Sequence, residues 1–156
     1  MADDLKVEIL GKVEAQRKLE QVVADLRGQE FLDGMRNATL TVQRAARKNA
    51  PVDTGRLRAS ITAEVRNSPT TGAVQGVVGS VVEYAAAVEL GSRPHWVPVS
   101  ALQVWARRHG VNAYALAKAI AKRGTRPREY LQGAFDESQS TIVLNIGDVV
   151  SRIVSK

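Results

Sequence analysis

The sequence predicts an α+β fold in which a small antiparallel sheet packs against several helices and the chain ends in a long helix. Alternating apolar residues at 61–66 and a stretch rich in β-branched residues at 74–82 flank a polar loop and favour an antiparallel strand pair. Most of the remaining chain has apolar residues at helical spacing, including a long final segment from Arg128. The length of 156 residues is typical of one domain, so we expect residues 1–156 to form a single domain.

The N-terminal part of the chain predicts a short strand followed by two helices. Apolar and charged residues alternate over 5–9, which is typical of a strand. Apolar residues then recur at helical spacing over 19–26, and Gly28 is expected to be the C-cap of that helix. The second helix should occupy about 29–49, because Pro51 disfavours helical conformation in the residue before it.

The link between the second helix and the sheet contains the string Asp53-Thr54-Gly55. This string offers side-chain oxygens to free backbone amides, so it predicts a cap or turn that leads into a short helix through Leu57. The strands at 61–66 and 74–82 follow, with a loop at 67–72.

Three further helices are predicted after the sheet. An Ala-rich helix at 84–90 should end at the glycine after it. Ser100 and Asn112 are each expected to cap a later helix, and these helices should end at Gly110 and Gly124.

The final segment, from Arg128 onward, predicts a long helix. Helical spacing persists to its end, although 141–146 is rich in β-branched residues and a strand there is the alternative. Such a helix is longer than one small domain can cover, so its apolar stripe is expected to pack partly on another subunit. The candidate assembly stripe comprises Ile142, Ile146, Val149 and Ile153.

The net charge of +6 is concentrated in one part of the chain. Between residues 91 and 130 there are eight Lys and Arg residues and one acidic residue, whereas the rest of the chain is nearly balanced. We expect this segment to contact an anionic partner, with a merely solvated face as the alternative. The candidate contacts to DNA or another anionic surface are Arg93, Arg107, Arg108, Lys118, Lys122, Arg123, Arg126 and Arg128.

No pattern typical of an enzyme is present. The chain has no cysteine, and its two histidines lack acidic neighbours at metal-ligand spacing. The common nucleotide, zinc-protease and nucleophile-elbow motifs are absent. The acidic pairs Glu83/Glu89 and Asp136/Glu137 are expected to be solvent-exposed or interface charges. We therefore expect no catalytic residue, no cofactor and no metal.

The chain has few aromatic residues and no long apolar run. The chain has only seven aromatic residues, so Trp96 and Trp105 are expected to fill the core rather than to bind a partner. No apolar run approaches the length of a membrane span, and the start of the chain is acidic, where a secretory signal would be basic. We expect synthesis in the cytoplasm and no membrane partner.

Three motifs carry a family resemblance. Residues 50–61, Ala-Pro-Val-Asp-Thr-Gly-Arg-Leu-Arg-Ala-Ser-Ile, join a helix stop, a cap and a strand start. Tyr84-Ala85 with Val88-Glu89-Leu90-Gly91 follows the strand pair, and 124–131 then reads Gly-Thr-Arg-Pro-Arg-Glu-Tyr-Leu. In order and spacing these motifs resemble the gene-10-product-like family of tailed-phage neck and tail proteins over roughly residues 5–156. The residues of the structural family motif are Pro51, Asp53, Thr54, Gly55, Leu57, Tyr84, Glu89 and Gly91.

The resemblance implies a structural virion protein of the head–tail junction, called a tail completion or neck protein. Such a protein is made in the host cytoplasm, has no catalytic residues and assembles as a homo-oligomeric ring, such as a hexamer, around the DNA channel. The implied partners are other copies of the chain, neighbouring head–tail connector and tail proteins, and packaged DNA. Residues 95–124 are a basic helical insertion where shorter members have a brief loop.

Three alternatives stay open. A tail terminator or minor tail component belongs to the same virion class. A free DNA-binding accessory protein would use the basic segment 93–128, with steep salt dependence and without rings. A hydrolase is the third, although no nucleophile and base are paired in the sequence.

Overall fold

Seven helices and a two-stranded antiparallel sheet form the described part of the chain, residues 12–68 and 73–155 of a computed structural model. The predicted α+β class is confirmed, whereas the predicted strand at 5–9 lies outside the described residues. In chain order the elements are α1 (Lys12–Asp25), α2 (Gln29–Asn49), α3 (Arg56–Ser60), β1 (Ile61–Asn67), β2 (Val74–Ser80), α4 (Ala85–Leu90), α5 (Val99–Arg108), α6 (Ala113–Arg123) and α7 (Tyr130–Val154).

The two longest helices, α2 and α7, pack against each other in opposite directions. Near the end of α2, Asn49 Nδ2 donates a hydrogen bond of 3.4 Å to Glu137 Oε2, close to the start of α7. Near the start of α2, Glu30 Oε1 lies 3.4 Å from Arg152 Nε in the last turn of α7. This antiparallel pair is the frame on which the other elements are placed.

The apolar stripe of α7 is largely used inside the chain. Val149 and Ile153 are buried, and Ile142 and Ile146 are half-buried. A Cβ atom at Gly34 of α2 would lie 2.9 Å from Cγ2 of Val149, so the close approach of the two helices requires glycine there. The prediction that this stripe packs on another subunit is wrong for Val149 and Ile153, because the chain's own packing already covers them.

Helix α7 is unbroken over its 25 residues, about 37 Å at a rise of ~1.5 Å per residue. The alternative of a strand at 141–146 is wrong. Tertiary packing overrides β propensity here, because only a helix keeps the apolar stripe facing α2 along its whole length. Neither α7 nor any other described helix is long and apolar enough to cross a membrane.

The sheet lies on α2 and is fixed to it by side-chain hydrogen bonds. Its register places Ile61 opposite Ser80, and Gln43 Nε2 and Arg47 Nη2 each donate a hydrogen bond of 2.8 Å to the carbonyl of Ile61. Strand β2 ends at Ser80, two residues before the predicted end, because the chain turns there and the Val82 N–H donates to the Ser80 hydroxyl.

The core lies where α2, the sheet, α3, α4 and the first turns of α7 meet. Alanines fill much of it, so the backbones approach closely, and Tyr130 and Ile61 are among the largest fully buried side chains. The main cluster comprises Val42, Ala46, Ala50, Leu57, Ile61, Val82, Ala85, Tyr130 and Ala134.

Helix α1 contributes little to this core, since none of its residues is buried. The predicted C-cap role of Gly28 is wrong. Gly28 has φ −77° and ψ 174°, an extended conformation, and it is the N-cap of α2 instead.

Helices α5 and α6 form a hairpin that packs mainly on itself. Asn112 caps α6 as predicted, because its side chain accepts a hydrogen bond of 2.9 Å from the N–H of Ala115. The predicted capping role of Ser100 is wrong, since the N-cap of α5 is Pro98 and Ser100 lies within the first turn.

Candidate interaction surface

The α5–α6 hairpin joins the rest of the chain at a strand-like bridge. Ser92 and Thr125 exchange two backbone hydrogen bonds, of 3.2 and 3.1 Å, and their hydroxyl oxygens lie 3.0 Å apart. The chain therefore leaves the core and returns to it at one place, with the hairpin between.

A second link runs from the hairpin to Asp53 of the family motif. Arg108 Nη2 lies 2.7 Å from Asp53 Oδ2, and His109 Nε2 lies 3.3 Å from Asp53 Oδ1. The His109 ring in turn stacks on Trp105, with ring centroids 4.2 Å apart. The Asp53 carboxylate does not form the predicted cap of α3. The N-cap residue of α3 is Gly55, which has a left-handed conformation with φ 80°.

The other residues of the 50–61 motif turn the chain from α2 into the sheet. Ala50 before Pro51 is extended, with ψ 129°, and ends α2. The Thr54 hydroxyl accepts a long hydrogen bond of 3.5 Å from the N–H of Arg56, and Leu57 is buried in the core. These contacts give the motif a structural role.

Glu89 is buried and caps α7 from a distance. Its Oε2 accepts a hydrogen bond of 2.8 Å from the N–H of Leu131, and its Oε1 accepts one of 2.9 Å from the N–H of Gln132. A carboxylate is favourable there because the first N–H groups of a helix lack intrahelical partners and carry partial positive charge. The prediction that Glu83 and Glu89 are solvent-exposed or interface charges is therefore wrong for Glu89.

The two remaining motif residues mark the start and the end of α4. Tyr84 is its N-cap and is partly exposed, and Gly91 ends it with φ 73°, as predicted for a glycine C-cap. A side chain at Gly91 would also meet the backbone of Thr125 and Pro127, so this glycine is needed where α4 passes the base of the hairpin.

The eight predicted cationic residues are all exposed. Arg108 pairs with Asp53, and the other seven make no salt bridge to any residue in 12–68 or 73–155. Helices α5 and α6 together carry five cations and no carboxylate. The hairpin thus presents positive charge that the described chain does not neutralise.

Aromatic side chains are exposed beside these charges. Trp96 is 58% exposed and Tyr114 is 60% exposed, and their rings meet edge to face with centroids 6.4 Å apart. Trp105 is 38% exposed, so the prediction that both tryptophans fill the core is wrong; a two-helix hairpin is too thin to cover them. Sequence reasoning also missed Tyr114, although its position four residues before Lys118 could have marked it as part of the cationic face.

An apolar groove of about 410 Å³ lies between α2, β2 and α7. No histidine or lysine lines it, and its carboxylate, Glu89, already caps α7. Within the described residues no cluster of His, Asp and Glu could hold a metal ion. We identify no candidate catalytic group there, and the absence of enzyme activity stays a prediction.

The family model described as "Bacteriophage HK97-gp10, putative tail-component" matches residues 6–91, more than half of the chain. The chain belongs to this family of phage tail components, as the sequence motifs predicted. The match covers α1 to α4 and ends at the base of the hairpin. No curated protein and no solved structure shows significant similarity to the chain.

Proposed function

We propose that this tail component is a tail completion or neck protein that forms a ring around the DNA channel and joins tail to head. The observation that carries the proposal is the exposed basic hairpin, which holds most of the cations between Arg93 and Arg128. A subunit at that junction must lie beside packaged DNA and beside neighbouring connector and tail proteins. A one-sided excess of positive charge suits contact with phosphate or with acidic protein surfaces.

The family motif supports a structural rather than a chemical role. Asp53 holds the hairpin and Glu89 holds the start of α7, so the polar groups that the motif contributes serve positioning. Rigidly placed surfaces are what a ring subunit needs, because every copy must present the same faces to its neighbours.

The test is to disrupt the gene in its phage and to examine the products by electron microscopy, with quantitative mass spectrometry of purified wild-type particles. We expect complete heads and complete tails to accumulate unjoined, and the chain to be present in a fixed number of copies per wild-type particle. Tails of abnormal length would indicate a tail terminator instead. Normal particles that lack the chain would indicate a free DNA-binding accessory protein and overturn the proposal.

A further inference from the structure

We propose that the α5–α6 hairpin of one subunit docks on the outward face of α7 in the next copy of the same chain. The inference rests on the proposed ring and goes beyond it by naming the two surfaces that meet. Two faces of the chain, described below, are exposed and have complementary charge.

The first face lies on the hairpin and consists of Trp96, Tyr114, Lys118 and Lys122. The last three follow one another at intervals of four residues, so they form one exposed ridge along α6. Trp96 packs edge to face on Tyr114 at the start of this ridge. We call this surface the basic–aromatic face.

The second face lies on α7, on the side turned away from α2, and consists of Asp136, Val143, Leu144 and Asp148. Val143 is 64% exposed and Leu144 is 68% exposed, and both aspartates are exposed. Asp136, Leu144 and Asp148 lie on one ridge at multiples of four residues, so the carboxylates flank the apolar centre. We call this surface the acidic–apolar face.

The two faces complement each other in both charge and apolar content. The hairpin helices contain no carboxylate, whereas α7 contains three carboxylates and a single cation, Arg152, which already lies against Glu30. Exposed Trp and Tyr side chains are typical of the residues that dominate protein interfaces. Ridges at four-residue spacing on both helices can also interdigitate.

The neighbouring copy is a better occupant of the basic–aromatic face than DNA. A duplex offers phosphates to Lys118 and Lys122, but its apolar groups lie mainly on base edges within the grooves and form no continuous apolar surface for Trp96 and Tyr114. Within one subunit α5 and α6 pack mainly on each other and not on α7, so docking of these two faces requires a second copy. Because the two faces differ, the contact is heterologous and propagates from copy to copy until it closes as a ring. Arg93, Arg107, Arg126 and Arg128 stay available for DNA.

The experiment is charge reversal in the full chain, read by sedimentation velocity and light scattering. One variant carries Lys118→Glu and Lys122→Glu, and a second carries Asp136→Lys and Asp148→Lys. Each should weaken self-association by about tenfold or more, because like charges then face each other across the contact. A chain with all four changes, or an equimolar mixture of the two variants, should recover wild-type assembly. The control matched to the lysine reversal, Arg56→Glu with Arg58→Glu, makes the same change in net charge on another exposed surface and should assemble normally.

The outcomes separate this contact from the proposed function. If both reversals assemble like the wild type, or if neither the four-change chain nor the mixture recovers, the docking of these faces is wrong while a ring made by other contacts stands. A wild-type chain that is monomeric at every concentration also overturns the docking. The proposed function is judged separately, by whether disruption of the gene leaves heads and tails unjoined.

Discussion

The Glu89 carboxylate accepts a hydrogen bond of 2.8 Å from the backbone N–H of Leu131, 42 positions further along the chain. Two backbone bonds run beside it, from Arg128 N–H to the Val88 carbonyl at 2.9 Å and from Glu129 N–H to the Glu89 carbonyl at 3.1 Å. The end of α4 therefore fixes where α7 begins. A residue inside the span matched by the family model positions a long helix that lies outside it.

Removal of this cap should destabilise the whole fold. Glu89→Ala leaves two partly buried N–H groups without their charged acceptor, so we expect the free energy of unfolding to fall by about 2–4 kcal/mol. Urea denaturation followed by circular dichroism measures the loss. Glu83→Gln, at an exposed position, is the control and should stay within about ±0.5 kcal/mol. A Glu89→Ala chain as stable as this control would show that the cap is dispensable.

Tyr130 should make the fold sensitive to alkaline pH. Burial raises the pKa of Tyr130 above its ordinary 10.0, and the negative charge of Glu89 adds to this effect. The folded chain therefore keeps the phenol proton when the unfolded chain has lost it, so stability falls as pH rises through about 10. Tyr130→Phe should lose less stability between pH 8 and pH 11 than the wild type does in denaturation curves.

The same substitution has a distinct outcome near neutral pH. The Tyr130 hydroxyl is buried and has no hydrogen-bond partner within the described residues. Its removal should leave stability unchanged or raise it by about 1 kcal/mol, because an unpaired buried hydroxyl is unfavourable. Tyr84→Phe, at a partly exposed ring, serves as the control. A loss of stability at neutral pH in Tyr130→Phe alone would indicate that the hydroxyl has a partner.

Asp53 should restrain the hairpin without stabilising the core much. Asp53→Ala breaks the contacts with Arg108 and His109, which are partly exposed, so the global cost should be about 0.2–1 kcal/mol. Hydrogen exchange in α5 should nevertheless become faster, since one of its two links is lost. Asp33→Ala breaks an exposed pair elsewhere and should leave α5 unaffected. Unchanged exchange in the Asp53 variant would mean that the Ser92 bridge alone holds the hairpin.

The cations of α6 should matter for particle assembly more than for folding. Changing Lys118, Lys122 and Arg123 together to Gln keeps side-chain length and helix propensity, so stability should move by only about ±0.5 kcal/mol per site. The yield of infectious particles should fall, with unjoined heads and tails visible in micrographs. A wild-type yield of infectious particles from this variant would indicate that these three cations contact only solvent. The control changes three exposed cations of α1 to Gln: Lys12, Arg17 and Lys18.

We also expect the purified protein to contain no stoichiometric metal. The described residues offer no cluster of ligands, and the chain has no cysteine. Elemental analysis of protein prepared without added metal or chelator measures this directly. Zinc or iron at one equivalent per chain would reveal a site that involves residues beyond those described.

Local signals in the sequence predicted most of the elements. Pro51 marked the end of α2, alternation marked β1 and β-branched residues marked β2, because these signals act on the backbone of the same segment. The burial of Glu89, the exposure of Trp96 and the covering of Val149 were not predictable in this way. Each depends on which distant element lies opposite, and a pattern marks a face as apolar or charged without saying what covers it.

The bridge between Ser92 and Thr125 makes the hairpin separable from the core. The Cα atoms of residues paired in this way lie about 5.5 Å apart, a gap that one tight turn can span. Evolution can therefore lengthen, shorten or exchange the segment between them while the α2–α7 frame keeps its packing. The same joint is a place where a foreign peptide could be grafted, so that each copy of the protein would display it at a defined position in the virion.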